Sequence, residues 1–346
     1  MSATTEPVLR VRDLTVTFRV DGGRAPDVHA VRGVSYDLLP GEVLAVVGES
    51  GSGKSVSSLA LLGLLPGTAR VTGSARLGDQ ELVGLDRRAL SEVRGRRIAM
   101  IFQDPGNALD PVFTIGYQLR EMLRRHVPGL TRAQRTARAV ELLRMVELPD
   151  PEERLRFYPH QLSGGQAQRV MIAMALACDP EILVADEPTT ALDVTIQAQI
   201  LDLLAKLQRE TGMALVLITH DMGVVAETAN RVSVQYAGQK VEEQPVRALF
   251  ADPHHPYTAA LLSALPERAT TRRLPSIPGV VPGQYDRPAG CLFSPRCGFV
   301  TERCVEKAPV TQGQAAGYAL CHYPLNQGKP VGHPGPAAIL DRRVSA

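Results

Sequence analysis

The stretch Gly48-Glu49-Ser50-Gly51-Ser52-Gly53-Lys54-Ser55 follows an apolar segment, Val43 to Val47, and leads into a helix-like run from Val56 to Leu65. Glycines at this spacing let successive backbone N–H groups curve around phosphate oxygens. In such a loop Lys54 reaches the β and γ phosphates, and the Ser55 hydroxyl can ligate Mg²⁺. Strand, loop and helix occur in the order that a P-loop requires, so the sequence predicts a nucleoside triphosphate site rather than an accidental turn.

Two further apolar strands end in polar residues. Asp186 and Glu187 follow Ile182 to Ala185, and His220 follows Leu215 to Thr219. Ligands of open α/β sheets bind at such strand ends. We expect Asp186 to hold Mg²⁺ through water and Glu187 to take a proton from an attacking water. The alternative, that Asp186 and Glu187 are simply solvent-exposed acids, is less favoured because a P-loop lies upstream.

A second glycine-rich turn, Leu162-Ser163-Gly164-Gly165-Gln166, precedes the apolar run Val170 to Cys178. The N-terminus of the helix that follows concentrates unpaired N–H groups and positive dipole, which suits a γ-phosphate. Ser163 is also a typical N-cap, but capping explains the serine and not two consecutive glycines. The turn is therefore predicted to contact phosphate.

Composition limits the class of protein. The 346 residues predict one large domain and a smaller unit. The chain carries 38 basic and 36 acidic residues, a net charge of +2, which gives no support to nucleic-acid binding. No secretory signal is recognised at the start, and no apolar stretch approaches the roughly 18 residues of a membrane span.

Composition shifts suggest how the chain is divided. We expect a nucleotide-binding domain over residues 1–250, with a mostly helical segment at about 104–165. An extension over 251–323 begins where proline and histidine become frequent. The tail 324–346 is rich in Pro, Gly and Ala and is expected to be disordered.

Four cysteines fall within the extension. Cys291, Cys297, Cys304 and Cys321 are separated by five, six and sixteen residues and lack the paired knuckles of structural zinc sites. Disulfides are disfavoured in a cytosolic chain. The spacing favours a [4Fe–4S] cluster, with Zn²⁺ and unligated thiols as alternatives. Cys178, in an apolar run, is expected to be packed core.

In this order the motifs resemble those of the ATP-binding subunits of ABC transporters, over about residues 8 to 250. The resemblance implies an α/β P-loop NTPase fold of the ABC type: a mixed sheet core, an antiparallel β subdomain and a helical subdomain. It also implies a composite site, because in the family the Ser163 turn contacts the nucleotide on the opposite subunit's P-loop.

The resemblance assigns roles to single residues. Phe18 would stack on adenine, although a phenylalanine on an alternating strand is more often core. Ala191-Leu192-Asp193 would be the D-loop. The implied catalytic residues are Glu187, His220, Gln103 and Lys54, and the implied Mg²⁺ ligands are Ser55, Gln103 and Asp186. The implied nucleotide-binding residues are Phe18, Gly48, Glu49, Ser50, Gly51, Ser52, Gly53, Lys54, Ser55, Val56, Gln103, Asp186, Ser163, Gly164, Gly165 and Gln166.

A narrower resemblance concerns the oligopeptide, dipeptide and nickel importer branch. It rests on Gln103 to Pro111, Tyr158-Pro159-His160-Gln161, His255-Pro256-Tyr257-Thr258 and Ile277-Pro278-Gly279. It implies an ATPase at the cytoplasmic face of the membrane that powers peptide uptake. The implied partners are a homologous, non-identical second ATPase, two permease subunits and an extracellular substrate-binding protein. Nickel or another small solute is the alternative cargo, and a non-transport ABC ATPase is a further alternative.

Overall fold

A computed structural model of the chain describes residues 6–20, 26–190, 192–265, 276–314 and 317–335. Ala191, the first residue of the expected D-loop, lies outside these ranges. The strands are β1 (Leu9–Phe18), β2 (Val28–Leu38), β3 (Val43–Val47), β4 (Ala69–Leu77), β5 (Gln80–Glu81), β6 (Ile98–Ile101), β7 (Ile182–Asp186), β8 (Ala214–Ile218), β9 (Arg231–Tyr236), β10 (Gln239–Pro245), β11 (Gln312–Gln314), β12 (Gly317–Ala319), β13 (Leu325–Asn326) and β14 (Lys329–Pro330). The helices are α1 (Lys54–Leu61), α2 (Arg87–Val93), α3 (Pro105–Ala108), α4 (Ile115–His126), α5 (Arg132–Met145), α6 (Pro151–Arg154), α7 (Gly164–Leu176), α8 (Val194–Thr211), α9 (Met222–Thr228), α10 (Val246–Ala251), α11 (Pro256–Ser263) and α12 (Glu302–Glu306).

The central sheet has eight strands in the order β11-β12-β10-β9-β3-β8-β7-β6. Its core is parallel, since β3 pairs with β8 and β9, β8 with β7, and β7 with β6 in that sense. Every residue of β3, β7 and β8 is buried, as expected for strands covered on both faces. The carboxyl ends of these strands therefore meet at one edge of the sheet.

A second, antiparallel sheet has the order β2-β1-β4-β5. The inward residues of β1 alternate along the strand, and Leu9, Val11, Leu14 and Val16 are each at most 1% exposed. They form a second core with residues of α1 such as Leu61. The mixed sheet, the antiparallel sheet and the helices between β6 and β7 confirm the predicted fold class.

The helical segment contains α3 to α7. The helices α4, α5 and α7 pack around fully buried side chains that include Leu119, Leu142 and Val170. A capping box starts α5, because the Thr131 hydroxyl accepts from the Gln134 N–H and the Gln134 side chain accepts from the Thr131 N–H. Among the described residues, no helix combines the length and the apolar character that crossing a bilayer requires.

The chain beyond residue 250 does not form a detached unit. Strand β12 pairs with β10, so the extension lengthens the central sheet. Residues 324–335 also differ from the predicted disordered tail, because β13 and β14 form a hairpin there. Its turn places Gln327 at φ 49° and Gly328 at φ 75°, and its Leu325 is 3% exposed. Because this hairpin has two left-handed turn residues and one buried leucine, its sequence shows no alternating apolar pattern that would indicate strands. Residues 336–346 lie outside the described ranges.

Truncating the helical core tests this packing. Leu142→Ala is expected to lower the free energy of unfolding by about 2 to 5 kcal/mol, because it leaves a cavity at a fully buried position. Val112→Ala, in the same segment at 69% exposure, should change it by less than about 0.5 kcal/mol. Urea unfolding followed by circular dichroism measures both, and equal effects would contradict the assigned core.

Candidate nucleotide site

The backbone of the 48–55 loop requires glycine where the loop leaves β3. Gly48 has φ 151°, and a Cβ built on it would lie 2.1 Å from the Gln235 carbonyl oxygen and 2.9 Å from Ser52 Oγ. No other residue fits against that fixed backbone oxygen. The loop ends at Gly53, a left-handed residue at φ 92° that begins α1. The N-terminus of α1 is thus reached by a turn that only small residues permit.

Lys54 is folded back along its own loop. Its ammonium group donates to the carbonyl oxygens of Gly48 at 2.8 Å and Glu49 at 3.1 Å, and the residue is 6% exposed. Burial lowers the pKa of Lys54, while the carboxylates of Glu187, Asp186 and Glu49 oppose that shift. A buried cation held by two dipoles is available to an added anion without moving far.

Ser55 and Asp186 converge across the strand ends. The Ser55 hydroxyl donates to Asp186 Oδ1 at 2.8 Å. Burial raises the pKa of Asp186, the Ser55 hydrogen bond lowers it, and the neighbouring Glu187 raises it further. A hydroxyl and a buried carboxylate are the hard oxygen donors that Mg²⁺ prefers, so these residues fit the ion predicted from the sequence.

Glu187 is the third group at this edge. It has φ 45°, a left-handed conformation that is rare outside glycine, and its N–H donates to the Ile218 carbonyl at 2.9 Å. Its Oε2 accepts from Gln103 Nε2 at 3.2 Å and from the Thr190 hydroxyl at 2.9 Å. His220 Nδ1 lies 3.8 Å from Oε1. The carboxylate is therefore held by groups from three separate segments.

Thr190 is a site residue that sequence reasoning missed. A threonine three residues after an acid has many ordinary explanations, and no apolar period or glycine pattern marks it. Its role is visible only because the turn after β7 brings its hydroxyl back to the Glu187 carboxylate.

A cleft of about 370 Å³ joins these groups. It is lined by loop and α1 residues on one side and by residues of other strand ends opposite: Ser50, Gly51, Ser52, Gly53, Lys54, Ser55, Val56, Gln103, Glu187 and His220. The structure thus brings together half of the sixteen residues predicted to bind the nucleotide, Ser50 to Val56 and Gln103, with the predicted catalytic residues Glu187 and His220. Gly48 and Glu49 do not line the cleft, but their carbonyls hold Lys54.

The second glycine-rich turn lies elsewhere. Ser163 caps α7, and its side chain and that of Gln166 form a capping box. Ideal Cβ atoms on Gly164 and Gly165 would meet Leu192 and Ile196 at 3.4 and 2.8 Å, and none of these residues lines the cleft. The structure therefore supports the N-cap and leaves the phosphate contact a prediction.

Phe18 is likewise not brought to the cleft. It is half-buried at the end of β1, where it pairs with Val28 and Ala69 and packs against the core of the antiparallel sheet. Its role in stacking on adenine remains a prediction.

The predicted iron–sulfur cluster is wrong, and the zinc alternative is not supported either. Across the described ranges, no three His, Cys, Asp or Glu side chains are arranged to hold a metal ion. The four extension cysteines border a cavity of about 20 Å³, room for roughly one water molecule. Burial raises the pKa of Cys291 to about 11 and of Cys321 to about 12, so these thiols stay protonated. The sequence shows the cysteines but not how closely other side chains fill the space between them.

Comparisons with known proteins agree with this geometry. A family model described as ABC transporter matches residues 31–190, and one described as Oligopeptide/dipeptide transporter, C-terminal region, matches residues 241–304. The dipeptide transport ATP-binding protein DppD of Haemophilus influenzae is 51% identical over 331 residues, which is 95% of this chain and 99% of that protein. DppD of Escherichia coli is 51% identical over 327 residues, 93% of this chain and 99% of that protein.

Solved structures lead to the same class. The ATP-binding cassette MJ0796, solved as a dimer in a post-hydrolysis state with ADP and phosphate, is 30% identical with a TM-score of 0.61. The match covers 69% of this chain and 99% of that one. Fold and site together define a P-loop ATPase that binds ATP with Mg²⁺ and hydrolyses the nucleotide. The chain belongs to the ABC transporter family, as an ATP-binding subunit. Membership implies a complex with membrane permeases in which ATPase subunits pair.

A methyl group at the start of the loop should weaken nucleotide binding strongly. Gly48→Ala is expected to raise the Kd for ATP roughly 100-fold or more, because the new Cβ displaces the loop that positions Lys54. Fluorescent nucleotide titration measures the change.

Gly33→Ala is the matched control for Gly48→Ala. Gly33 also has a positive φ, 69°, but its Cβ would meet nothing within 4 Å and it lies in β2, away from the cleft. We expect its Kd for ATP to stay within about twofold of the wild-type value. Equal loss in the two variants would contradict a specific effect at Gly48.

Proposed function

We propose that this chain powers the import of dipeptides and short oligopeptides, by closing on ATP with a second ATPase and reopening after hydrolysis. The observation that carries the ATPase half is the Glu187 carboxylate, which lines the phosphate cleft and accepts hydrogen bonds from Gln103 and Thr190. Support for the cargo comes from the relatives named as dipeptide transport proteins and from the match to the oligopeptide/dipeptide C-terminal region.

At the cleft, each group has a separate task. Glu187 is the general base, because its carboxylate lines the cleft and is oriented by two donors to its Oε2, from Gln103 and Thr190. Lys54 stabilises charge on the transferring phosphoryl group, and His220 contacts the γ-phosphate and the attacking water. Bound Mg²⁺ neutralises phosphate charge, and Ser55 with Asp186 would hold it, with Gln103 adjacent.

The Ser163 turn does not line the cleft of its own chain. We assign that turn to the nucleotide held by a partner ATPase, whose own turn closes this chain's cleft. The N-terminus of α7 carries exposed Ser163 and Gly164 and the positive end of a 13-residue helix, which suits a γ-phosphate. Phe18 and the loop residues Ser50 to Val56 complete the nucleotide contacts, while Gly48 and Glu49 act through Lys54.

The complex would comprise this chain, a homologous but non-identical ATPase, two permease subunits and an extracellular substrate-binding protein. The ATPases would sit at the cytoplasmic face of the membrane. Support comes from the transporter relatives and from the dimeric cassette among the solved structures.

Removing the proposed base should separate binding from hydrolysis. In the assembled transporter, Glu187→Gln is expected to keep ATP binding and to slow hydrolysis at this chain's P-loop by roughly 10²- to 10⁴-fold, because the amide cannot accept a proton. Cells that carry only this variant should fail to take up a labelled dipeptide. Phosphate release, nucleotide titration and uptake measure the three effects.

Glu181→Gln is the control, since Glu181 immediately precedes the same strand and its side chain forms a surface ion pair with Arg97. It should retain hydrolysis and uptake. Unchanged turnover in Glu187→Gln would remove that residue from the mechanism. If the wild-type chain restores uptake of Ni²⁺ but not of dipeptide, the proposed cargo is wrong.

The Ser163 turn can be tested without losing its helix cap. Ser163→Asp keeps an N-cap acceptor but places a negative charge where the partner's γ-phosphate would dock. We expect hydrolysis by the assembled transporter to fall about 100-fold while this chain's own Kd for ATP is unchanged. Ser163→Thr keeps both cap and hydroxyl and should remain active. If Ser163→Asp also hydrolyses normally, the turn serves only as a cap.

A further inference from the structure

The extension beyond residue 250 grips one residue of the phosphate loop. Arg296 Nη1 donates to both carboxylate oxygens of Glu49, at 2.9 and 3.1 Å. The hydroxyl of Tyr257, on α11, accepts from the Glu49 N–H at 3.0 Å. Two separate segments of the extension thus hold the side chain and the backbone of the same residue.

Arg296 and Tyr257 are themselves held in place by buried contacts. The Arg296 side chain is 3% exposed, and its Nε donates to the Pro278 carbonyl at 2.8 Å. Tyr257 is fully buried, with its ring 4.7 Å from that of Tyr236 and 5.4 Å from that of Phe293. Burial works to lower the pKa of Arg296, but hydrogen bonds to Glu49 and Tyr236 raise it on balance. The guanidinium is a permanent, oriented cation.

The peptide group that joins Gly48 to Glu49 contacts the catalytic lysine through its other end. Its carbonyl, that of Gly48, accepts from Lys54 Nζ at 2.8 Å, and the Glu49 carbonyl in the next peptide group accepts from the same ammonium at 3.1 Å. The N–H of Glu49 is engaged by Tyr257, so it points away from any phosphate in the cleft. A rotation of this one peptide would move the dipole that holds Lys54.

Attachment of the extension does not itself require these contacts. Gln284 and Arg287 bind the backbone of the antiparallel sheet, through the carbonyls of Asp27 and His29 at 2.8 Å each. Strand β12 adds a further attachment to β10. A contact made only for attachment has no need to reach the phosphate loop.

We propose that Arg296 and Tyr257 are positioning residues for ATP binding, which set the orientation of Lys54 by holding the Glu49 side chain and the peptide group that joins Gly48 to Glu49. The extension is thereby part of the nucleotide site, although none of its described residues lines the cleft. The inference rests on the proposed role of Lys54 in binding phosphate. Loosening the grip weakens nucleotide binding without removing any group that touches the nucleotide.

Full-length variants test the grip by nucleotide titration with ATP and ADP. Arg296→Met should raise the Kd for both nucleotides about 5- to 50-fold, within the usual range of coupling between linked sites. Arg296→Lys keeps one charged donor and should recover part of the loss. Tyr257→Phe removes a single acceptor and should raise the Kd about 2- to 10-fold. In the assembled transporter, KM for ATP should rise more than kcat falls.

A double-mutant cycle tests whether Glu49 and Arg296 affect ATP binding through the same interaction. Glu49→Gln combined with Arg296→Met should bind ATP no more weakly than Arg296→Met alone, because both changes break one interaction. Additive losses would mean that the two residues act separately.

Arg287→Met is the matched control, since it cuts an attachment of the extension that does not involve the loop. Its melting temperature without nucleotide should fall, while its Kd for ATP stays within about twofold of wild type. If Arg296 had a purely structural role, Arg296→Met would likewise lower the melting temperature and leave the Kd for ATP unchanged. Wild-type Kd values in both Arg296→Met and Tyr257→Phe would overturn the proposal.

Two further measurements distinguish failure of this proposal from failure of the proposed function and from misfolding. Lys54→Met must lose nucleotide binding; if it binds as wild type, the proposed function of the cleft fails and not the grip alone. If Arg296→Met shows no cooperative unfolding, Arg296→Lys and Tyr257→Phe decide, because each preserves nearly all of the buried volume. A loss of binding in Tyr257→Phe supports the proposal, and its absence contradicts it.

Discussion

The parallel pairing of β3, β8, β7 and β6 is the constraint on which the rest of the structure depends. Because these strands run in one direction, the loop after β3, the acids after β7, Gln103 after β6 and His220 after β8 arrive at a single edge. Residues spread over about half of the chain thereby meet around one cleft. The complete burial of β3, β7 and β8 fixes their register, since a slip would expose apolar side chains or bury polar ones.

Electrostatic balance makes this edge reactive. A buried lysine and a buried aspartate would each be costly alone. Lys54 is held by two carbonyl dipoles and faces three carboxylates, while Asp186 takes a hydrogen bond from Ser55. Each group compensates part of the desolvation of its neighbours. The remaining demand for a cation at Asp186 and for an anion at Lys54 is what Mg²⁺ and a polyphosphate supply.

The extension, together with the glycines, fixes the conformation of the phosphate loop. A P-loop is usually described as a turn set by its glycines, and Gly48 and Gly53 do fix the backbone here. Glu49, between them, is fixed instead by a residue nearly 250 positions away, through a buried arginine. The same aromatic cluster that buries Tyr257 packs Phe293 beside the cysteines, which leaves little space between those thiols. One packed region therefore explains both the grip on the loop and the failure of the metal prediction.

Local patterns were sufficient for much of this protein. Glycine spacing, the apolar strands and the acids at their ends predicted the phosphate loop and its acidic neighbours, because each motif acts within a few residues of its own strand. The fold class and the roles of Gln103 and His220 were predicted from the family resemblance of these motifs. Thr190, the hairpin at 325–330 and the contacts of Arg296 were not predictable, since their partners are chosen by folding and leave no period in the chain. The cysteines mark the limit most clearly: their spacing is written in the sequence, but the volume between them is set by side chains that pack from distant segments. The sequence by itself determined the phosphate chemistry, and only the tertiary structure decided which distant groups hold that chemistry in place.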